Sequence, residues 1–224
     1  RQEFTANVSH ELKTPLTSIS GYAELIETGI AKPEDTPGFA RKIHVEASRM
    51  IQLVNDILQL SHLDNVSETG AAPAMETVDL LDVARECVER QKVNARHSYI
   101  SLTYLGESAP VTGSRVLLDE LCQNLCDNAI KYNNPGGTVS ITIEHVGTQA
   151  KIVIADNGIG IPLQAQSRIF ERFYRVDKSR SKQRGGTGLG LSIVKHIVDC
   201  HNGTISLRSE LGHGTEITIL LPEK

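Results

Sequence analysis

The sequence predicts a protein of two domains, an antiparallel helical hairpin followed by an α/β domain. Apolar residues recur at three- and four-residue steps along two long segments within the first 65 residues, which is the pattern of amphipathic helices. From about residue 78 onward, helical and strand patterns alternate, with antiparallel hairpins and no regular βαβ repeat. We therefore predict a helical hairpin over 1–65, a linker over 66–77 and an α/β domain over 78–224.

The first helix carries one apolar stripe and a histidine on the opposite side. The stripe consists of Val8, Leu12, Leu16, Ile19, Ala23 and Ile26. His10 lies about 200° around the helix from Val8 and should face water, with Thr14 on the same exposed face. Pro15 cannot donate a hydrogen bond to the carbonyl of Glu11, so a bend is predicted just after the His10–Glu11 pair.

The second helix follows a short connection over 29–38 that contains two prolines. Its stripe consists of Phe39, Ile43, Ala47, Met50, Val54, Ile57 and Ser61. The short connection lets the two helices pack antiparallel. One hairpin cannot bury both stripes well, so two copies are expected to form a four-helix bundle. A homodimer is therefore predicted.

The elements of the α/β domain follow a linker rich in Ser, Glu, Gly, Ala and Pro. Helices are predicted over 80–95, 114–132 and 187–201, and strands over 99–105, 138–146, 150–155, 203–208 and 214–221. The order of these elements argues against a Rossmann fold.

Composition excludes several classes of protein. A hydrophobic fraction of 39% and a charged fraction of 22% are typical of a globular domain, and the net charge of −4 argues against nucleic-acid binding. No apolar run approaches the roughly 20 residues of a membrane-spanning helix, and no signal peptide is recognised. The chain begins within a helical pattern and without Met, so we expect it to be the C-terminal piece of a longer protein.

Three polar residues share one face of the predicted helix over 114–132. Asn124, Asn128 and Lys131 occupy positions i, i+4 and i+7, within about 60° of one another. Amide oxygens suit Mg²⁺, and a lysine suits phosphate oxygens. A merely solvated face is the alternative, but two asparagines inside a helix have poor propensity.

Two glycine-rich blocks follow. In 156–162 (DNGIGIP), the Asp156 carboxylate ends an apolar strand and could accept a hydrogen bond from the exocyclic amine of adenine, while Gly158 and Gly160 would let the backbone approach a flat ring. The alternative is a simple Asp-Asn-Gly turn. In 185–192 (GGTGLGLS), backbone amides precede a helix and form an anion site suited to phosphates, without the Gly-Lys-Ser/Thr of a P-loop.

The segment between the two glycine blocks has the composition of a mobile lid. Phe170 and Phe173 are candidate aromatic anchors. Its basic residues are Arg172, Arg175, Lys178, Arg180, Lys182 and Arg184. A solvated basic loop is the alternative.

Taken in order, these motifs resemble those of the histidine protein kinases of two-component signalling, over nearly the whole chain. The segment 9–16 (SHELKTPL) resembles the phosphoacceptor box, 156–162 and 185–192 the two glycine boxes, 169–175 the F box before the ATP lid, and 212–215 the last short motif. The N box is matched by Glu120, Asn124, Asn128, Lys131 and Tyr132.

The resemblance implies a HisKA-type dimerisation and phosphoacceptor hairpin, followed by a Bergerat-type α/β sandwich that binds ATP. His10 would attack the γ-phosphorus, Glu11 would orient the imidazole or accept its proton, and Thr14 would support phosphatase activity. Asn128 and Asn124 would bind Mg²⁺. The remaining nucleotide-binding residues implied are Lys131, Tyr132, Asp156, Gly158, Gly160, Tyr174, Arg175, Gly186, Thr187, Gly188, Leu189, Gly190 and Thr215.

The same resemblance implies a response regulator as partner and a cytoplasmic location, as part of a membrane-anchored sensor kinase. A gyrase-, chaperone- or mismatch-repair-like ATPase would share the N and glycine boxes but should lack the phosphoacceptor box and the hairpin. A degenerate kinase acting as a dimeric scaffold is disfavoured because every block is intact. Whether phosphorylation occurs within one subunit or between two is left open.

Overall fold

The structure is a computed structural model that describes residues 2–69, 74–177 and 186–223. Contacts divide the chain into two compact units, one of residues 1–59 with 185–187 and one of residues 60–184 with 188–224. This division differs from the predicted boundaries at 65 and 78. The second long helix continues to Thr69, past the predicted start of the linker, and its last turns belong to the second unit.

The first unit is built on an antiparallel hairpin of α1 (Gln2–Glu27) and the first part of α2 (Thr36–Thr69). Near the connection, the Tyr22 and Phe39 rings stack with their centroids 5.4 Å apart. Further along, Arg49 lies 3.5 Å from Glu11, so the contact partners advance in opposite directions along the two helices. The connection spans 28–35 and contains Gly29, whose φ of +69° is a conformation that favours glycine after a helix.

The hairpin buries only part of the predicted apolar stripe of α1. Leu16 is 56% exposed and Ala23 is also exposed, whereas Pro15 is buried inside a continuous helix. A partner helix covers only a narrow face, so one hairpin leaves part of each stripe uncovered, as predicted. On α2, likewise, Val54 and Ser61 of the predicted stripe are exposed.

The second unit contains the end of α2 and an α/β sandwich. Its elements are β1 (Glu76–Asp79), α3 (Leu80–His97), β2 (Ser101–Gly106), β3 (Pro110–Gly113), α4 (Arg115–Lys131), β4 (Thr138–Val146), β5 (Gln149–Asp156), α5 (Leu163–Gln166), α6 (Gly190–Cys200), β6 (Thr204–Glu210) and β7 (Gly214–Pro222). A five-stranded sheet has the order β2-β4-β5-β7-β6, in which β2 and β4 are parallel and the other neighbours antiparallel. A separate antiparallel pair joins β1 to β3.

The core lies between one face of the sheet and the layer of α3, α4 and α6. Alternate positions of the central strands are buried, as expected for a sheet covered on one face. The fully buried large residues of this core include Leu118, Leu121, Leu125, Ile141, Ile143, Ile152, Leu189, Ile193 and Ile197. This arrangement confirms the predicted α/β sandwich.

Two further predicted boundaries are wrong for identifiable reasons. The linker was predicted to extend to residue 77, but residues 76–79 form β1, whose partner β3 lies more than 30 residues further along the chain. The last helix begins at Gly190 rather than Thr187, because Gly188 has a φ of +78°, which is incompatible with a right-handed helix. Residues 70–73 of the predicted linker lie outside the described residues.

Candidate active site

The asparagine face of α4 lies against the first residue of α6. Asn124 and Asn128 are both half-buried. A Cβ atom placed on Gly190 would lie 3.1 Å from Asn124 Oδ1 and 4.0 Å from Asn128 Nδ2. The structure therefore brings together two amide side chains and the N-terminus of a helix, whose backbone amides attract anions.

Asp156 ends β5 beside β7. Its Oδ1 accepts a hydrogen bond from the Gly158 N–H at 2.8 Å, and Thr215, which is its register partner on β7, also donates its backbone N–H to the carboxyl. Burial raises the pKa of Asp156, and these two hydrogen bonds oppose the rise. The prediction that Asp156 and Thr215 share one site is consistent with this geometry.

The two glycines of the first glycine box are required by the protein's own backbone. A Cβ on Gly158 would lie 2.5 Å from the Tyr132 carbonyl oxygen, and one on Gly160, whose φ is +67°, would lie 2.0 Å from the Glu210 carbonyl oxygen. The Ile159 N–H donates to the Tyr132 carbonyl at 3.0 Å. The box is thus packed between the C-terminal end of α4 and the turn that joins β6 to β7.

Ser209 also belongs to this end of the site, although no sequence motif pointed to it. Its hydroxyl oxygen accepts a hydrogen bond from the Ile161 N–H at 2.8 Å, and the hydroxyl donates to the Gly214 carbonyl at 2.8 Å. The Thr215 hydroxyl lies 2.9 Å from it. Ser209 therefore ties the first glycine box to the last short motif.

The F box contacts the second glycine box through its backbone. The Phe173 N–H donates to the Gly188 carbonyl at 2.9 Å, and a Cβ on Gly188 would lie 3.2 Å from Arg175 Nε. The Tyr174 ring lies 4.5 Å from the guanidinium carbon of Arg168. Leu189 is fully buried in the core, so only its backbone is placed to meet a ligand.

The predicted lid extends beyond the part of the chain that the structure describes. Lys178, Arg180, Lys182, Arg184 and Gly185 all lie outside the described residues.

The side chain of Thr187 has a different partner from the one predicted. By its contacts Thr187 groups with the first unit, where its hydroxyl donates to Asp56 Oδ2 at 2.6 Å. Gln52 Nε2 donates to the other carboxylate oxygen of Asp56 at 2.7 Å. Asp56 is 7% exposed, and sequence analysis did not identify it because nothing local marks its partner.

Arg172 of the F box pairs with an acidic residue of α2. Within the second unit, its guanidinium donates to Asp64 Oδ1 at 2.7 Å, and His196 Nε2 lies 2.9 Å from the same oxygen. Burial disfavours ionisation of Asp64, but hydrogen bonds and charge from Arg172 and His196 outweigh it and lower the pKa of Asp64. Arg172 was predicted to be one of the lid cations, and its partner in the structure is a protein carboxylate.

The phosphoacceptor segment lies on α1. The His10 side chain is exposed, as predicted. Glu11, predicted to orient His10, faces Arg49 across the hairpin at 3.5 Å between Oε2 and the guanidinium. The Thr14 hydroxyl donates to the His10 carbonyl at 3.2 Å, which leaves the hydroxyl oxygen available as an acceptor.

The donor set suits a cation held jointly by protein and phosphates. Among residues 2–69, 74–177 and 186–223, no group of three His, Cys, Asp or Glu side chains could hold a metal ion. Mg²⁺, however, commonly takes only one or two protein oxygens together with substrate phosphates and water. The amide side chains of Asn124 and Asn128, which lie beside the helix N-terminus at Gly190 and each carry one such oxygen, fit that requirement.

Both parts of the chain match known protein families. Residues 113–224 match the family described as histidine kinase-, DNA gyrase B- and HSP90-like ATPases, and residues 1–66 match the His Kinase A (phospho-acceptor) domain. A dimerisation and phosphoacceptor hairpin followed by this type of ATPase domain defines a protein class. The chain belongs to the histidine kinases of two-component signalling.

Individual relatives support this assignment. The chain is 42% identical to the sensor-like histidine kinase SenX3 of Mycolicibacterium smegmatis over 100% of its length and 58% of the relative's. It is 41% identical to the sensor protein kinase WalK of Staphylococcus haemolyticus, over 99% of this chain and 36% of the relative. The chain thus spans only 36–58% of these curated relatives.

A solved structure shows the same architecture. The histidine kinase ThkA, in complex with the response regulator protein TrrA, matches with a TM-score of 0.76 and 26% identity, over 99% of this chain and 61% of that one. Within the described residues, no helix of this chain is long and apolar enough to cross a membrane.

Proposed function

We propose that this chain is the core of an ATP-dependent protein-histidine kinase that phosphorylates its own His10 and passes the phosphoryl group to an aspartate of a response regulator. The observation that carries the proposal is the asparagine face of α4 lying against the N-terminus of α6 at Gly190. This is a phosphate site without a P-loop, in a chain that also exposes a histidine beside a carboxylate.

The proposed reaction forms a phosphorus–nitrogen bond at His10. A ring nitrogen of His10 attacks the γ-phosphorus, the bond between the γ-phosphorus and the bridging oxygen breaks, and ADP leaves with the electron pair. The proton lost from the imidazole passes to Glu11 or to water. For the first of these routes Glu11 must exchange its partner Arg49 for the imidazole.

The nucleotide is held at two ends in this proposal. Asp156 accepts a hydrogen bond from the exocyclic amine of adenine, next to Tyr132 and Thr215. Lys131, Tyr174 and Arg175 approach the phosphates, together with the backbone of 186–190. Asn128 and Asn124 would hold Mg²⁺, which would supply positive charge beside the phosphates. The hairpin serves as the phosphoacceptor domain and the α/β sandwich as the catalytic domain.

Incubation of the chain with Mg²⁺ and ATP labelled at the γ-phosphate tests the proposal. The label is expected to become attached to protein in an acid-labile, base-stable form, as a phosphoramidate does. A clamp-type ATPase would instead release labelled inorganic phosphate without labelling the protein, and a degenerate scaffold would do neither.

We also propose phosphatase activity toward the phosphorylated regulator. Thr14 lies one turn after His10, and its hydroxyl proton is already donated to the His10 carbonyl. The hydroxyl oxygen can therefore accept a hydrogen bond from a water molecule and direct the water's lone pair at an aspartyl phosphate. A threonine that only supports the backbone around Pro15 is the structural alternative.

Thr14→Ala is expected to slow dephosphorylation of the regulator by about 10-fold or more, because an oriented water becomes unoriented. Autophosphorylation should change little. The matched control is Thr17→Ala, since the Thr17 hydroxyl makes the same type of bond, to the Lys13 carbonyl at 2.9 Å. Equal dephosphorylation rates in Thr14→Ala and wild type would exclude the role.

The apolar surface left on the hairpin supports a homodimer. Ile51, Val54 and Leu58 follow one another at three- and four-residue steps on α2 and are 63%, 41% and 63% exposed. Leu16 on α1 is 56% exposed. A second copy of the hairpin would bury this surface in a four-helix bundle.

Leu58→Glu is expected to weaken dimerisation by about 100-fold or more, because an unpaired charge buried in an interface costs about 3–5 kcal/mol. Analytical ultracentrifugation over a concentration series measures the effect. Val45→Glu is the control, because Val45 is 58% exposed but lies on the side of α2 opposite Val54. A monomeric wild type at high concentration would refute the dimer.

We further propose that the chain is the cytoplasmic part of a membrane-anchored sensor kinase. The support is that SenX3 and WalK are sensor kinases and that this chain spans only 58% and 36% of their respective lengths. Membrane fractionation of the full-length protein tests the anchoring, and recovery in the soluble fraction would contradict it.

A further inference from the structure

His201, at the end of α6, is a buried histidine that the mechanism above does not use. It is 5% exposed, and its backbone N–H closes the helix by donating to the Ile197 and Val198 carbonyls. Its ring reaches the residue before α4, where the Ser114 N–H donates to Nε2 at 3.0 Å. One imidazole thus joins the end of α6 to the start of α4.

The hydrogen bonds of His201 define its protonation. A backbone N–H can only donate, so Nε2 carries the lone pair and the ring proton lies on Nδ1. Nδ1 in turn donates to the Ile197 carbonyl at 2.7 Å. Burial lowers the pKa of His201, which favours this neutral form. Both ring nitrogens are satisfied, and the ring has one orientation.

The contact between His201 and Ser114 also requires a glycine at position 113. A Cβ atom on Gly113 would lie 2.8 Å from His201 Cδ2 and 2.9 Å from His201 Nε2, closer than real side chains approach. The same atom would lie 2.8 Å from Leu118 Cδ1. The imidazole can therefore reach the Ser114 N–H only because residue 113 has no side chain.

This contact and the asparagine face lie toward opposite ends of α6. Its 11 residues separate His201 from Gly190 by ~16 Å. Between these ends, α4 and α6 are in contact, and the buried residues of the two helices are mainly apolar, among them Leu121, Leu125, Ile193 and Val194. Apolar packing is non-directional and permits small axial shifts, whereas a hydrogen bond has a narrow range of distance and angle.

We infer that His201 is a positioning residue of the nucleotide site. The hydrogen bond that it accepts from the Ser114 N–H sets the axial register of α4 against α6. That register determines how far the side chains of Asn124 and Asn128 lie from the backbone amides at the start of α6. The inference rests on the proposed function and concerns the phosphate and metal end. Asp156, at the adenine end, belongs to β5 and lies outside this helix pair.

Two substitutions of His201 distinguish a role in positioning the helices from a role in packing alone. His201→Leu keeps an apolar volume and removes the acceptor, whereas His201→Gln places an amide oxygen near the position of Nε2. Mg²⁺-ATP binding is expected to weaken about 10-fold or more in His201→Leu, because a buried donor left unsatisfied disfavours the native register. Adenosine binding, measured by NMR titration, should weaken clearly less than Mg²⁺-ATP binding, because Asp156 and Thr215 belong to the sheet and the first glycine box contacts α4 at Tyr132. His201→Gln should stay within about threefold of wild type for both ligands.

If His201→Leu weakens the binding of Mg²⁺-ATP and of adenosine equally, the residue contributes only to general packing and the inference is overturned. Unchanged binding of both ligands would also overturn it. If circular dichroism shows that His201→Leu does not fold, Gly113→Ala replaces it, because the added methyl displaces the ring, and the same difference between ligands is expected. Equal losses there also overturn the inference.

Hydrogen exchange of the Ser114 amide provides a readout that needs no nucleotide. The amide should be protected in wild type and His201→Gln and exchange rapidly in His201→Leu, and equal protection in all three contradicts the inference. A wild type that keeps this protection but binds no Mg²⁺-ATP would refute the proposed function, and with it the positioning role. The two failures are therefore distinguishable.

Discussion

His10→Gln is expected to abolish labelling of the protein by γ-labelled ATP, a loss of about 100-fold or more, because the amide of glutamine is not a nucleophile that can form a stable phosphorylated product. Mg²⁺-ATP binding should persist within about twofold, since no residue of the α/β sandwich is changed. The measurements are acid-labile label per protein and nucleotide affinity by calorimetry.

A matched control is His44→Gln. His44 is another exposed histidine of the same hairpin, on α2, and lies outside the phosphoacceptor segment. The His44→Gln variant should be labelled to the same extent as wild type. Label retained in His10→Gln, or lost equally in both variants, would show that His10 is not the phosphoacceptor.

Asp156→Asn should weaken ATP binding by about 10- to 100-fold, because a hydrogen bond to a charged group contributes about 1.5–3 kcal/mol. The carboxylate already receives the Gly158 and Thr215 N–H groups and has a further acceptor site for an adenine amine. Asparagine has only one acceptor oxygen, so its NH₂ group must face one of these donors. Preference for ATP over GTP should fall in parallel.

Competition titrations with ATP and GTP measure both effects, and Asp82→Asn is the control. Asp82 is a partly exposed carboxylate on α3 that pairs with Arg85 at 2.6 Å, and its substitution should leave nucleotide binding unchanged. An Asp156→Asn variant with wild-type affinity and wild-type preference for ATP would remove Asp156 from the adenine site.

Elements with a strong local pattern were predicted well from the sequence. The helix over 114–132 differs from α4 only by its two cap residues, because apolar spacing and the turn residues after it are local signals. The short strands β1 and β3 were not predicted, because each is four residues long and acquires its structure only by pairing with the other. At β1, local composition instead favoured the end of a linker, and 110–113 was assigned to no element.

The candidate site shows the same contrast. Asn124, Asn128 and Asp156 were identified from residue type and spacing, and Thr215 from the resemblance of 212–215 to a family motif. In the structure, Asn124 and Asn128 lie beside the start of α6, and Asp156 lies beside Thr215. The explanation given for Gly158 and Gly160 was incomplete, because both also accommodate carbonyl groups of the protein itself. Whether a glycine makes room for a ligand or for the chain depends on what lies opposite it.

Sequence by itself determined the class of this protein, because the phosphoacceptor segment and the glycine boxes are short and carry their chemistry in consecutive residues. Only the tertiary structure decided which partners the charged and polar residues take. Asp56 binds Thr187 across 131 positions of sequence, Arg172 binds Asp64 across 108, and His201 binds Ser114 across 87. Such bonds depend on where distant segments meet, and no local pattern of apolar and polar residues encodes that meeting point.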